Sequence, residues 1–374
     1  MSKIFVGLSG GVDSAVSAAI LKKEGHDVTG VFIKAWHPPF LKCDWRNERR
    51  DAMSVCAKLG IPFRTFDLEE RYKKEVVDYM ISEYAEGRTP NPDVMCNDKI
   101  KFGAFFSMAR EEGAEFIATG HYARLKREAP KTKQQSSENK HKISNYEYDA
   151  LKVKMYAGID PNKDQSYFLW RVKQDVLQHV LFPIGDLTKS EVRDIANSLG
   201  LPVAGKKDSQ GVCFLGHLNL KDFLKQFITI VPGDVLSESG ETIGTHEGAH
   251  IYTLGQRHGF TVTKKTPEDG PFYVVDKDVV HNTITVSSRL KTTHTFSVSS
   301  VKLQECNWIS GTIPITGKYE ARFRYRQQLF SCEYDPDEMC VRFDEPQKSI
   351  ALGQSLVLYK ENEVIGGGVI NAIL

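Results

Sequence analysis

Long hydrophobic runs are missing from this 374-residue sequence, and none approaches the ~20 residues that a helix needs to cross a bilayer. A basic start followed by an apolar stretch and small residues is also missing, and the first predicted strand lies close to Lys3. Cysteine is scarce, with seven residues at irregular spacing, which excludes a dense disulfide scaffold and favours a reducing compartment. We therefore predict a cytoplasmic protein with no membrane partner.

A large charge of either sign is absent too, because 49 Lys and Arg face 48 Asp and Glu and leave a formal net charge of +1. A nucleic-acid surface would therefore depend on local basic patches. No Cys-x-x-Cys pair occurs at Cys96, which precedes Asn-Asp-Lys, so neither a zinc site nor an iron–sulfur site is predicted. The 41% hydrophobic and 26% charged residues are typical of a globular protein, here long enough for two or three domains.

Over residues 1–205, β-rich runs alternate with amphipathic stretches, which predicts a doubly wound α/β domain with a parallel sheet. Glycine follows most of the predicted helices and marks where they end. The predicted strands are Ile4–Leu8, Val28–Ile33, Phe63–Asp67 and Glu115–Thr119, and the predicted helices are Asp13–Glu24, Asn47–Leu59, Glu70–Tyr84, Phe102–Glu112 and Lys189–Leu199.

After this domain the sequence changes to short β-rich runs separated by glycine and proline turns. We predict two smaller β-rich domains, a central one over residues 206–290 and a barrel-like one over residues 291–374. Inside the first domain, the polar segment Lys126–Tyr148 has no hydrophobic period and is predicted to be a mobile loop.

The sequence Ser-Gly-Gly-Val-Asp-Ser, from Ser9 to Ser14, follows the first predicted strand and opens the first predicted helix. In such a turn backbone N–H groups converge on an anion, and Gly10 and Gly11 allow close approach of the backbone. The turn is shorter than a Walker A loop and lacks its Gly-Lys-Ser/Thr ending. By itself, the pair of glycines fits a plain tight turn equally well.

Two further segments each place one cysteine in a polar loop. In Arg88–Asn97, Pro-Asn-Pro-Asp stands ahead of Cys96, and the two prolines predict a rigid loop rather than a helix. Asp208–Gly216 holds Cys213 among polar and glycine residues. Taken singly, either cysteine fits a structural role better than a reactive one. A fourth segment, Thr119–Ala123, closes a predicted strand, where a ligand-contacting loop is expected.

The joint occurrence of these segments is more specific than any one of them. They stand in one order along the chain, as Ser9–Ser14, Asn91–Cys96, Thr119–Ala123, Lys163–Tyr167 and Asp208–Cys213, followed by Tyr252–Gly259 and Arg324–Gln328. With this combination the chain resembles, over nearly its whole length, the tRNA-specific 2-thiouridylases of the pyrophosphate-loop ATP pyrophosphatase superfamily.

That resemblance implies an ATP-dependent sulfurtransferase acting on C2 of the wobble uridine (U34) in tRNAs for Lys, Glu and Gln. It implies Cys96 as the nucleophile and Cys213 as the persulfide carrier, supplied by a donor such as a cysteine desulfurase or a sulfur relay protein. ATP, with Mg²⁺, is implied at Gly7, Leu8, Ser9, Gly10, Gly11, Val12, Asp13, Ser14, Ile33 and Gly120, although many family members carry Met where Ile33 stands. The tRNA anticodon arm is implied at Asn91, Pro92, Asp93, His121, Lys163, Asp164, Gln165, Arg324, Tyr325 and Gln354.

Elementary chemistry fits this reading. A uridine oxygen leaves poorly, so adenylation by ATP prepares it for replacement, while the turn and Mg²⁺ hold the departing phosphates. A second thiol releases sulfide from a persulfide by forming a disulfide. Because a free thiol has a pKa of ~8.5, each cysteine should gain thiolate character from positive charges in its surroundings. The candidate sources are Lys99 and Lys101 for Cys96, and Lys206 and Lys207 for Cys213. Asp93 is a catalytic candidate, as a general acid/base or by orienting uracil.

Two stretches are candidates for contact with RNA phosphates. Arg124–Lys173 carries a local excess of positive charge, although much of it fits a solvated loop. Arg322, Arg324 and Arg326 alternate with apolar residues, which on a strand would send three guanidinium groups to one face. Because proteins read unstacked loop bases in RNA, we predict that this strand contacts the anticodon arm.

Two alternatives stand beside the thiouridylase hypothesis. One is another pyrophosphate-loop synthetase, such as an enzyme similar to argininosuccinate or NAD synthetase, which would leave the two loop cysteines without a role. The other is a non-catalytic RNA-binding protein, which the intact turn and both cysteines argue against. A persulfide on Cys213 would separate sulfur transfer from both.

Overall fold

The computed structural model describes residues 1–38, 40, 45–128, 152–207, 220–264, 269–288 and 297–374. The segment Asp208–Gly216 with Cys213 lies outside the described residues, and so does most of the predicted loop Lys126–Tyr148. Residues 126–128 at the start of that predicted loop belong to a strand instead. No helix among the described residues is long and apolar enough to span a membrane.

The N-terminal region is built on a five-stranded parallel sheet, which confirms the predicted doubly wound α/β fold. The strands, numbered in chain order, are β1 (Lys3–Gly7), β2 (Asp27–Lys34), β3 (Phe63–Asp67), β4 (Phe116–Ala118) and β7 (Val180–Leu181). Their order across the sheet is β3-β2-β1-β4-β7. The order in which the chain adds strands therefore reverses at β1. Strands β2 and β3 lie on one side of β1, and β4 and β7 lie on the other.

Both faces of this sheet are covered. Successive residues of a strand point to opposite faces, and in β1 the buried Ile4 and Val6 belong to one apolar cluster while Phe5 belongs to another. Helices supply the cover, which explains why the strands are apolar almost throughout.

The helical segments of the described chain include two stretches of π-helix. They are α1 (Val12–Lys23), α2 (Trp45–Leu59), α3 (Glu69–Tyr72) running through π1 (Lys73–Val77) into α4 (Asp78–Ala85), α5 (Pro92–Met95) running through π2 (Cys96–Ala104) into α6 (Phe105–Glu111), then α7 (Gln174–Leu177), α8 (Lys189–Ser198) and α9 (Leu220–Leu224), with short 3₁₀ turns at Ser166–Phe168 and Ala249–Ile251.

The prediction of a rigid loop across Arg88–Asn97 is wrong in its second half. Asn91 caps α5, because its side-chain Oδ1 accepts a hydrogen bond from the Val94 N–H at 3.3 Å. Pro92 occupies the first helical position, where its fixed φ suits a helix and its missing N–H costs nothing. The second proline therefore starts a helix that carries Cys96, rather than preventing one.

A second sheet lies in the central region. Its five strands are β8 (Gly233–Leu236), β9 (Thr242–His246), β10 (Phe260–Val262), β11 (Tyr273–Asp278) and β12 (Thr283–Ser287), in the order β10-β9-β8-β12-β11.

The third sheet has eight strands. Six of them, β13 (Ser297–Trp308), β14 (Gly317–Arg322), β15 (Phe330–Asp335), β16 (Cys340–Lys348), β17 (Ser355–Lys360) and β18 (Glu363–Ile373), close into a barrel because β13 pairs with both β16 and β18. The other two, β5 (Ala123–Glu128) and β6 (Lys152–Ala157), form an antiparallel hairpin attached to β18. The division at residues 205 and 290 stays a prediction, and this hairpin from the first predicted domain extends the C-terminal sheet.

Candidate nucleotide and thiol site

The Ser9–Ser14 turn lies where open α/β sheets bind ligands. It follows β1, and the segment that starts at Thr119 follows β4, the neighbour of β1 across the point where the strand order reverses. Such a reversal leaves a crevice at the carboxyl ends of the strands. The turn also ends at the start of α1, whose first N–H groups have no partner inside the helix. This crevice is therefore a ready anion site.

Two glycines of this crevice are required by close packing. Gly10 has φ +74°, and a Cβ there would lie 2.5 Å from the Glu48 carbonyl oxygen of α2. A Cβ on Gly120 would lie 2.6 Å from the Ser14 nitrogen. Since real Cβ atoms do not approach backbone so closely, both positions depend on glycine. The predicted ATP residues Ser14 and Gly120 are thereby brought into contact.

The serine hydroxyls are connected within the turn. The Ser9 N–H donates to Ser14 Oγ at 3.2 Å, and the Gly11 N–H donates to Ser9 Oγ at 3.3 Å. Leu8 and Val12 are buried and anchor the two ends of the turn in the core, and Gly7 ends β1. The turn is thus held in shape by the chain before any ligand arrives.

Asp13 is the carboxylate of the turn. Its Oδ1 accepts hydrogen bonds from the Tyr122 hydroxyl at 2.8 Å and from Lys189 Nζ at 2.7 Å. The side chain remains one-third exposed, at 33%. Among the described residues no group of three or more His, Cys, Asp or Glu could hold a metal ion. A single accessible carboxylate fits Mg²⁺, which binds through one or two carboxylates together with substrate phosphates and water.

Cys96 is the first residue of π2 and is closed off from solvent, with 4% exposure. Burial raises the pKa of its thiol, and the positive charge of Lys101 opposes that shift. The negative charge of Asp93 also raises the pKa of Cys96, whereas a hydrogen bond between the Tyr72 hydroxyl group and the sulfur lowers that pKa. The expectation that this cysteine gains thiolate character is therefore wrong for this conformation, because desolvation outweighs the one lysine.

The π-helical winding explains how Lys101 reaches Cys96. In a π-helix the hydrogen bonds join residues five apart, as the Phe105 N–H does with Ile100 O. Residues 96 and 101 therefore stand one above the other, as residues 96 and 100 would in an α-helix. Gly103 makes this winding possible, since a Cβ there would lie 2.8 Å from Asp98 O.

Two other titratable groups, the half-buried Asp93 and the buried His121, also lie close to Lys101. Burial raises the pKa of the Asp93 carboxyl, an effect that Lys101 reduces. Burial holds the pKa of His121 well below its usual range, so this ring is neutral. His121 Nδ1 lies 2.7 Å from Thr119 Oγ1, and its ring lies 5.7 Å from that of Phe102. The predicted residues Asp93, Cys96 and His121 thus surround Lys101, and this largely buried cluster is called the thiol pocket.

The segment Lys163–Gln165, predicted to contact tRNA, has one member whose side chain is fully engaged inside the protein. Asp164 is buried and forms an ion pair with Arg322 of β14. Its Oδ1 also accepts the N–H groups of Gly158 and Ser166, each at 3.0 Å. The Gln165 side chain accepts the Tyr122 N–H at 3.1 Å, while Lys163 is half-buried. The Asp164 carboxylate holds this loop against the barrel.

The prediction of three arginines on one strand face is wrong. β14 ends at Arg322, which is buried against Asp164 and the Tyr359 hydroxyl. Arg324 turns inward and donates to Leu254 O at 2.9 Å, and to a second backbone carbonyl. Arg326 has φ +61° and donates from Nε to Asn162 O at 3.0 Å. The chain turns after β14, so period-two alternation does not apply there.

The remaining predicted tRNA residues lie along the seam between α5 and the barrel. The Asn91 side chain hydrogen-bonds Tyr167, whose hydroxyl donates toward Ser355 O at 3.0 Å. The Tyr325 ring lies 4.8 Å from the ring of Phe168. Gln354 accepts the Ala351 N–H at 3.1 Å. Ile33, by contrast, is a partly buried residue of β2 that packs against the main core.

Lys206 was expected to tune Cys213, which lies outside the described residues. Its ammonium donates to the Gly10 carbonyl at 3.0 Å and to Asp51 Oδ2 at 2.7 Å. Sequence reasoning missed the contacts that Tyr167 and Lys206 make with distant partners. A tyrosine beside Lys-Asp-Gln and a lysine seven residues before a cysteine carry no period that would have revealed their partners.

Three adjoining family models match this chain. A "tRNA methyl transferase HUP domain" matches residues 2–217, a "tRNA methyl transferase PRC-barrel domain" matches 221–288, and an "Aminomethyltransferase beta-barrel domain" matches 298–370.

Curated relatives match the whole chain. The tRNA-specific 2-thiouridylase MnmA of Lysinibacillus sphaericus is 41% identical over 379 residues, covering 99% of this chain and 94% of its own. The protein of the same name from Christiangramia forsetii is 40% identical over 99% of this chain and 100% of its own. Among solved structures, the U34-tRNA thiolase NcsA from Methanococcus maripaludis matches at a TM-score of 0.35 and 15% identity, covering 60% of this chain and 63% of that one. This last similarity is too low to support a conclusion.

Proposed function

Since the chain belongs to the tRNA-specific 2-thiouridylase family, we propose that its Ser9–Ser14 turn holds the ATP that activates a wobble uridine and that Cys213 delivers the sulfur. The protein is an ATP-dependent tRNA-uridine sulfurtransferase. Two of the matching domains are described by the name of a methyl transferase, but relatives 40% identical over both full lengths carry more weight. These relatives also argue against the two alternative functions, another pyrophosphate-loop synthetase and a non-catalytic RNA-binding protein.

The observation that carries the proposal is the pre-shaped turn at the strand-order reversal. Its backbone N–H groups and helix start suit the phosphates of ATP. Gly120 packs against the start of α1, where a Cβ would lie 2.6 Å from the Ser14 nitrogen, so the segment after β4 borders the same ligand site. Asp13 is the residue that would hold Mg²⁺, which when bound neutralises charge on the departing pyrophosphate.

We propose three chemical steps. The C2 oxygen of the uridine attacks the α-phosphate of ATP, pyrophosphate leaves, and the oxygen becomes part of an adenylate. The Cys96 thiolate then attacks the inner sulfur of a Cys213 persulfide, forming a Cys96–Cys213 disulfide and releasing hydrosulfide. Hydrosulfide adds to C2 and AMP departs with the oxygen, leaving C2=S and one proton. An external thiol reductant restores both cysteines, and a persulfide donor such as a cysteine desulfurase or a relay protein reloads Cys213.

We propose that the burial of Cys96 in the thiol pocket makes entry of the uracil base precede the release of sulfide. With Cys96 at 4% exposure, sulfide chemistry is suppressed until the base enters. Uracil is a neutral base, and a pocket in which burial favours the neutral forms of Asp93 and His121 suits it. Asp93 then acts as general acid/base or by orienting the base.

We propose that tRNA is held along the seam between α5 and the barrel, by Asn91, Pro92, Lys163, Gln165, Tyr325 and Gln354, with Arg324 shaping this surface from inside through its bonds to two backbone carbonyls. Asp164 serves this surface differently, by fixing the loop through Arg322. The anticodon arm suits such a seam because its loop bases are unstacked and accessible. Since its substrates are tRNA and ATP, we also propose that the protein works in the cytoplasm.

Purified chain, tRNA, ATP with Mg²⁺ and a persulfide donor provide the test. We expect 2-thiouridine by nucleoside mass spectrometry, and a mass gain of one sulfur on the Cys213 peptide. Cys96→Ser and Cys213→Ser should each lower the rate more than ~10³-fold, because each removes a reacting atom. Cys340→Ser, a buried barrel cysteine, is the matched control and should retain activity. Parental activity in either of the first two variants would contradict the two-cysteine scheme.

A further inference from the structure

We propose that Lys206 is a ligand of the β- and γ-phosphates of ATP and lets the site distinguish ATP from AMP. The inference rests on the proposed function only in taking ATP as the ligand of the Ser9–Ser14 turn. It assigns to the nucleotide site a residue that lies 196 positions after Gly10 in the sequence.

The ammonium group of Lys206 lies beside the Ser9–Ser14 turn. Lys206 Nζ lies 3.0 Å from the carbonyl oxygen of Gly10, the residue with φ +74° at the apex of the turn. It lies 2.7 Å from Asp51 Oδ2 on α2. An ammonium group has three donors, and these two contacts use two of them. Within the described residues no third partner of Nζ is found, so a third donor is left for an anion that binds the turn.

The backbone of Lys206 is held in place by the core of the protein. The Lys206 N–H donates to Val203 O at 2.9 Å, and its carbonyl oxygen accepts from Arg193 Nη1 at 3.2 Å. Val203 is 3% exposed and packs in the same apolar cluster as Val12 and Val16 of α1. The helix that begins at the turn therefore also holds the backbone of Lys206 in place.

Electrostatics favour the same assignment. The triphosphate of ATP carries about four negative charges, of which one Mg²⁺ at Asp13 would balance two, and the rest of the turn offers only backbone dipoles. A phosphate-binding turn gains most from a full positive charge next to it. The side chain of Lys206 is 36% exposed, so it can rotate toward a ligand while keeping its contact with Asp51.

A purely structural clamp between the turn and α2 is the competing explanation. A clamp would matter equally for every nucleotide that binds the turn, and its loss would act through the shape of the turn. A phosphate ligand would matter only for nucleotides that carry β- and γ-phosphates. Comparing ATP with AMP therefore separates the two explanations.

Titration calorimetry of ATP and AMP with the full chain gives the test. For Lys206→Met we expect the Kd for ATP to rise by about 10- to 100-fold, the loss of one charge-assisted hydrogen bond, while the Kd for AMP changes less than about twofold. Lys207→Met, at an exposed neighbouring lysine, should change neither Kd. Lys206→Arg keeps the charge and should retain ATP binding within about threefold.

Asp51→Asn removes the clamp partner and should preserve the difference between ATP and AMP. Equal losses for ATP and AMP in Lys206→Met, or no loss for either, would overturn the proposal. If the parental chain bound ATP but failed to thiolate tRNA, the proposed function would fail while this comparison stayed valid. Urea unfolding of Lys206→Met and Lys206→Arg checks that both are folded, and the Arg variant keeps the test decisive if the Met variant is not.

Discussion

The nucleotide turn and the thiol pocket meet the same sheet edge but are built by opposite means. The turn is made of backbone and small side chains, and part of its polar surface faces the crevice, as the one-third exposure of Asp13 shows. The thiol pocket is made of side chains from α5, π2 and the segment after β4, and it is closed, with His121 at 6% exposure. An anion therefore meets a preformed turn, whereas a ligand of the thiol pocket requires that pocket to open.

Burial has the same consequence for three different chemical groups of the thiol pocket. It raises the pKa of the Cys96 thiol and of the Asp93 carboxyl, and it lowers the pKa of the His121 ring. Each shift favours the uncharged form of the group. The proposed sulfur-transfer step, which needs a Cys96 thiolate, is therefore disfavoured in this conformation.

The largest effect should come from altering the backbone-built site. Gly10→Ala places a Cβ 2.5 Å from Glu48 O at a residue with φ +74°, so we expect ATP affinity to fall at least ~100-fold and the free energy of unfolding to fall by about 2–4 kcal/mol. Calorimetry with ATP and urea unfolding measure both.

Gly25→Ala is the matched control for that variant. Gly25 has φ +87°, but a Cβ added there would have no atom within 4 Å, so only backbone strain of about 1 kcal/mol applies and ATP binding should persist. Equal losses in Gly10→Ala and Gly25→Ala would mean that the turn tolerates a side chain and is less closely packed against α2 than the 2.5 Å approach indicates.

A smaller effect tests whether the thiol pocket is closed. Cys96 should react with iodoacetamide at least ~10-fold more slowly in the folded chain than in urea, because burial both shields the sulfur and raises its pKa. Peptide mass spectrometry after timed quenching gives the rate for each cysteine. A folded-state rate equal to the rate in urea would show an open pocket and remove the contrast with the turn.

The smallest effect concerns the charge that opposes burial. Because Lys101 lowers the pKa of Cys96, Lys101→Met should raise that pKa further and move the pH at which thiolation reaches half its maximum upward by ~0.5–1 unit. The sign follows from the reacting form, since the rate rises with pH as the thiol loses its proton. Lys99→Met is the control, because Lys99 pairs with Asp98 and should leave the profile unchanged. A downward shift in Lys101→Met would contradict the assignment.

Local patterns were sufficient for the N-terminal sheet and the nucleotide turn. The predicted strand Phe63–Asp67 has the observed bounds, and Ile4–Leu8 differs by one residue at each end. The turn could be located because its glycines, serines and flanking strand are neighbours in sequence. Such features depend on contacts within a few residues, which the sequence displays directly.

The features that sequence reasoning got wrong depend on distant partners. Arg322 was expected on an RNA-facing strand, but its partner Asp164 lies 158 residues away and no pattern around either residue announces the pair. The pKa of Cys96 likewise depends on how deeply the fold encloses it, which no adjacent lysine can reveal. The helix at Pro92 was missed because proline was read as a breaker and not as a first-turn residue.

The hairpin of β5 and β6 has a consequence for the making of the protein. Its neighbour in the sheet is β18, and the Tyr156 hydroxyl donates to Glu363 across a separation of 207 residues. At ~5–20 residues per second, a ribosome needs about 10–40 s to supply the missing strand. During that interval the hairpin presents an unpaired edge, the kind of surface that recruits strands from other chains. Release of the last strand therefore covers the β6 side of the hairpin, while β5 stays the outermost strand of the described sheet.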